Sequence, residues 1–265
     1  MTKSVLEADT YTSDIPCLIN TFIREYDIAK ANINILLDKG VIDRDTYQKL
    51  YSMPKHDREV NIGLMIRDNP DIGSILSNGF LEYRNYLYQS NNIQDYDILM
   101  IKKDAVFVID KTLSNTKFGN VEFVLKNTYS SYYRIYRLEM LFDGLCQPNG
   151  RLDVKGLGKY AYPLHKDYFS DMLCFIFSTA EHATMAYTIN TLREIMNNYV
   201  SLNYPIEYYR EFNIQSMFRA KMTIADSFYG VDLPPNSIAE TDISYNYGIL
   251  SQLYKLYLER FLYKR

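Results

Sequence analysis

At 265 residues, 47% hydrophobic and 15% aromatic, the chain carries enough apolar material for a sizeable core, and this composition argues against an intrinsically disordered chain. A formal net charge of -3 excludes global attraction to nucleic acid, so any phosphate contact needs a local basic surface. Cys17, Cys146 and Cys174 have no paired spacing, and His56, His165 and His182 have no zinc-ligand spacing, which excludes a disulfide framework and a zinc finger.

The cysteines read as buried free thiols of a reducing compartment. MTKSVLEADTYTSD has no apolar signal segment, and no apolar run reaches the ~18 residues a membrane span needs. The expected location is the cytoplasm, with no membrane partner.

Residues 1–14 are polar and read as a loose arm. Residues 18–26, LINTFIREY, fit a strand or a short helix equally. Asp27 then opens a helical pattern with Ile28, Ala31, Ile35 and Leu36 on one face, stopped by Gly40. Asp43 begins a second helix that Pro54 ends, a third runs over 55–68, and Pro70 starts a fourth to about Ser90.

The texture changes at 97–103, DILMIKK, and 105–109, AVFVI, which predict an antiparallel hairpin turning at Asp104. Residues 121–127 and 130–141 read as further strands, and RLDVKGLG (151–158) as a strand and loop. From about Pro163 the pattern is helical again, over 163–180, 181–201, 205–213 and from Asp242 to the end. The predicted class is α+β: a small antiparallel sheet at about 97–141 flanked by N-terminal and C-terminal helical regions. The corresponding division is 1–162, helices plus sheet, and 163–265, a helical region.

Three stretches carry candidate chemistry. YDIAKAN (26–32) sets a carboxylate where a strand gives way to a helix. KHDREVNIG (55–63) sets Lys55 and Arg58 on a helix near Asn61 and Gly63, and IKKDAVFV (101–108) sets a carboxylate at a tight turn. Two carboxylates from a strand end and a hairpin tip can hold Mg²⁺, and a Lys/Arg helix nearby can meet phosphates.

In order and type these stretches resemble the palm of template-dependent DNA polymerases, most nearly the B family. The resemblance covers residues 26–110 and implies Asp27 and Asp104 as catalytic metal ligands for Mg²⁺. It implies Lys55, Arg58 and Asn61 as nucleotide contacts, helices between 28 and 95 as fingers, and helices after 163 as a thumb. Lys102 stands where that family's third motif has its first Asp, and Ala105 stands where it has Ser.

The implied function is a phage or mobile-element protein of nucleic-acid metabolism with Mg-dependent nucleotidyl transfer, or a remnant of one, and nucleic acid as partner. The alternative is a non-enzymatic phage protein, a virion component or an inhibitor that binds a host protein.

Each residue also has a plain structural reading. Asp27 suits a helix N-cap, Asp104 a turn, and Lys55 and Arg58 a solvated helix face. Asp97 and Asp110 bracket the hairpin as solvent-facing charges. YSSYYRIY (129–136) and YPIEYYREF (204–212) suit base stacking between arginines, or half-buried packing. The terminal LYKLYLERFLYKR reads as an amphipathic packing helix. Cys174 with His165 or His182 forms no recognisable catalytic signature.

Overall fold

The computed structural model describes residues 4–146, 149–159, 161, 167–214 and 240–263. It is α+β, and its strands form one eight-stranded antiparallel sheet. The strands are β1 (Thr10–Thr12), β2 (Cys17–Ile28), β3 (Ile98–Lys102), β4 (Ala105–Ile109), β5 (Lys117–Phe118), β6 (Val121–Ile135), β7 (Leu138–Phe142) and β8 (Leu152–Lys155). Their order is β1-β3-β4-β2-β6-β7-β8, with β5 on β6. The described helices are α1 (Ala31–Asp38), α2 (Arg44–Ser52), α3 (Lys55–Asp68), α4 (Asp71–Ser90), α5 (Phe169–His182), α6 (Met185–Val200) and α7 (Glu240–Tyr263).

Two compact units divide the chain: Met1–Asp14 with Phe22–Thr128, and Ile15–Thr21 with Tyr129–Arg265. In the first unit, Tyr26 and Ile28 of β2 and Val106 and Val108 of β4 share one sheet face. They form a core with Ile35 and Leu36 of α1 and Leu76, Tyr83 and Leu87 of α4. In the second, Tyr133, Met140 and Phe142 pack against Phe177 of α5, Leu192 of α6 and Leu253 and Tyr257 of α7.

The sheet reaches well beyond 97–141, from Thr10 to Lys155. Residues 17–28 are a strand. Leu18, Ile19, Phe22, Ile23 and Tyr26 fall at helical spacing, yet Phe22 is exposed, and Asn20 interrupts the regular strand backbone at φ +56°. Within the N-terminal arm Ser4 caps a short 3-10 turn, and β1 pairs with β3. The expected strand over 130–141 is the end of β6, a turn and β7. Tyr136 takes φ +55° at that turn, a conformation that a tyrosine does not announce.

The helices at 44–52, 55–68 and 71–90 match the expected starts and stops, and Asp43 Oδ1 accepts from the Thr46 amide at 2.8 Å. Over 205–213 the helical expectation reduces to a 3-10 turn, Ile206–Tyr209. Residues 163–166, the start of the next expected helix, lie outside the described residues; α5 covers 169–182.

The tyrosines at 129, 132 and 133 are core, with Tyr133 stacked on Phe177 at 4.0 Å. Asp97 is buried and paired with Lys111 at 2.5 Å, so it is not a solvent-facing charge. Cys146 is exposed and Cys17 and Cys174 are half-buried, against the expectation of three buried thiols.

Candidate active site

Period-2 alternation places Glu25 and Asp27 on the same face of β2, opposite to Tyr26 and Ile28 in the core. Asp27 is therefore a strand residue and not a helix cap; the N-cap of α1 is Lys30, whose φ of +45° turns the chain from strand to helix. Antiparallel pairing sets Asp27 opposite Ala105, the residue after Asp104. The Ile28 amide donates to the Asp104 carbonyl at 3.1 Å, fixing the strand end against the hairpin turn. That turn is Lys103-Asp104, with Lys103 at φ +54°.

The two carboxyls are near enough for the negative charge of Asp27 to act on Asp104. Asp27 Oδ1 is buried without a hydrogen-bond partner, while Oδ2 accepts from Lys126 Nζ at 2.9 Å. Lys126 Nζ also stands 3.7 Å from Glu25 Oε1, and Asn127 Nδ2 donates to Glu25 Oε2 at 2.5 Å. Burial, and then the negative charge of Asp27, push the Asp104 carboxyl above the ordinary range. The hydrogen bond to Asp27 holds the Lys126 ammonium above its ordinary value.

Asp27 and Asp104 open onto a cavity of about 220 Å³ that is also lined by Lys30, Lys55, Arg58 and Glu59 and by the first turn of α1. No side chain caps α1, so its leading backbone N–H groups present a partial positive charge there. Lys55 and Arg58 come from the first turn and a half of α3; Lys55 pairs with Glu59 at 3.8 Å, and Arg58 donates to the Met53 carbonyl at 3.4 Å. Lys30 Nζ sits 2.9 Å over the Tyr51 ring, a cation–π contact. Lys30 and Tyr51 also line a second cavity of about 330 Å³, with Tyr47, Asn34 and Asn120.

Four of the five residues singled out in sequence thus line one cavity. Asn61 does not: its amide donates to the Asp57 carbonyl at 2.8 Å, one helical turn back. Lys102 Nζ donates to Thr12 Oγ1 on β1 at 3.1 Å. Lys126, Glu25 and Lys30 were missed. The period of two from Asp27 was enough to find Glu25, but Lys126 needs the pairing of strands 99 residues apart. Among the described residues no group of three or more His, Cys, Asp or Glu forms a metal cluster. Burial raises the Cys174 thiol to about 11, contrary to what a nucleophile requires, and His165 lies outside the described residues.

No helix among the described residues is long and apolar enough to cross a membrane. None of the curated proteins matches the chain. The family model described as the bacteriophage PBS1 gene 130 protein matches residues 1–256. That match takes in both compact units, and the chain belongs to this phage protein family.

Proposed function

We propose that this phage protein acts in nucleic-acid metabolism in the cytoplasm of the infected cell, binding a Mg²⁺–nucleoside triphosphate in the first unit and catalysing nucleotidyl transfer in the manner of a polymerase palm. The observation that carries the reading is convergence. Asp27, Lys55, Arg58 and Asp104 come from three separate stretches of sequence and line a single cavity.

The residues fit a divalent cation. A buried carboxylate oxygen without a partner, next to a second carboxyl of raised proton affinity, calls for a cation or a proton. Asp27 and Asp104 would hold it, and a bound ion would supply positive charge to phosphate oxygens. Lys55 and Arg58 attract the phosphate chain, and the amides at the start of α1 donate to it. The first cavity is smaller than the roughly 300–1,000 Å³ of whole-ligand pockets, which suits it to phosphates. The second, lined by Tyr47, Tyr51 and two asparagines, offers aromatic and amide groups to a nucleoside.

Nucleotide binding and primer extension, measured on wild type beside Asp104→Asn with and without Mg²⁺, test the reading. Removing a group that only orients a metal ligand already costs roughly 10–100-fold, so losing a direct ligand should weaken both activities by roughly 100-fold or more. Equal behaviour of the two proteins rejects the site. It would favour a phage protein that binds a protein partner, for which Phe175 on α5 (58% exposed) and Tyr187 on α6 (61% exposed) supply apolar surface.

A further inference from the structure

We infer that the site takes a single divalent cation and that the Lys126 ammonium occupies the place of a second. The inference rests on the Mg²⁺ reading above and deepens it.

The two oxygens of Asp27 have different surroundings. Oδ2 is held by Lys126 Nζ at 2.9 Å, whereas Oδ1 is buried, has no hydrogen-bond partner and belongs to the carboxyl that neighbours Asp104. A carboxylate that bridges two metal ions gives one oxygen to each. Here one of those oxygens already has a cation, and that cation is covalently part of β6.

Charge points the same way. Asp27, Asp104 and the buried Glu25 bring three negative charges together, and Lys126 lies 3.7 Å from Glu25 as well as on Asp27. Lys126 already offsets part of that charge, and Lys30, Lys55 and Arg58 add further cations to the cavity wall. A second ion would enter a site already rich in cations and would have to displace an ammonium from a charge-assisted hydrogen bond.

Lys126 is therefore a positioning residue that holds Asp27 with Oδ1 free for the ion. It stands on a strand with its side chain about half exposed (52%), so its replacement leaves the core of the first unit intact.

Isothermal titration of the full-length protein with Mn²⁺, joined to electron paramagnetic resonance of the loaded protein, tests this directly. Wild type should bind one ion and give the signal of an isolated Mn²⁺. Lys126→Met, which keeps the aliphatic stem and removes the charge, should bind two ions and give a spin-coupled signal. Two ions in wild type, or one ion at unchanged affinity in Lys126→Met, overturns the inference while leaving the metal site standing. Asp104→Asn serves as the control for the site itself. If wild type takes up no ion at all, or Asp104→Asn binds as wild type does, the function proposed above fails and the inference falls with it.

Discussion

Each unit buries carboxylates, and the two groups are satisfied in different ways. In the second unit Glu181 accepts from the hydroxyls of Ser130, at 2.6 Å, and Ser131, and Asp143 accepts from the Arg151 amide and lies 3.7 Å from its guanidinium. Glu181 Oε2 also lacks a hydrogen-bond partner, but it abuts Gly144 so closely that a Cβ there would come within 2.5 Å of it. In the first unit the orphaned oxygen belongs to Asp27, a residue that lines a cavity shared with Asp104, Lys55 and Arg58. An unsatisfied buried acid is therefore not a sufficient sign of function. Room beside it, and further charges turned toward that room, separate a site from a structural knot.

Changes in the second unit should damage stability without touching the site. Phe177→Ala removes the ring that stacks on Tyr133 and meets Phe142 edge-on, and should cost about 3–5 kcal/mol in urea unfolding. Glu181→Ala removes the carboxylate that accepts from the buried Ser131 hydroxyl, while Ser130 keeps the Phe142 carbonyl at 3.3 Å, and should cost roughly 1–3 kcal/mol. Neither should alter Mn²⁺ affinity in the fraction that remains folded. A metal-affinity loss in Glu181→Ala comparable to that in Asp104→Asn would break the distinction between the two groups of acids.

The sequence made the hairpin, the three helices from 44 to 90 and the candidate acids legible, because each rests on local rules. Asp43 with a following helical stripe, Pro54 and Pro70 at boundaries, and β-rich runs either side of Asp104 need no partner to be recognised. What stayed hidden was non-local or conformationally irregular. β1 becomes a strand only through β3, Asn20 and Tyr136 take left-handed conformations without the usual Gly, and Lys126 meets Asp27 only through the sheet. The candidate site was half visible for the same reason: its acids sit at element ends, but the cation that organises them lies on a different strand.

The smallest expected effect reports most directly on the site. Burial and the charge of Asp27 raise the proton affinity of Asp104 in the folded chain above that of an unfolded aspartate, near ~3.9. A raised folded value means that the fold favours the protonated acid. Its contribution to stability is fully present below the unfolded value and is lost as pH rises through the folded one. At neutral pH wild type thus carries a cost that Asp104→Asn does not. The variant should melt slightly higher than wild type at pH 7, and the difference should shrink toward zero as pH falls below about 4. Added Mg²⁺ should raise the melting temperature of wild type alone, since binding to the folded state stabilises it by mass action. Thermal melts across pH, with and without Mg²⁺, separate the outcomes. A variant less stable than wild type at neutral pH would mean that Asp104 is held as a turn residue, its charge satisfied like that of Asp143, and that the contrast between the two units is one of packing alone.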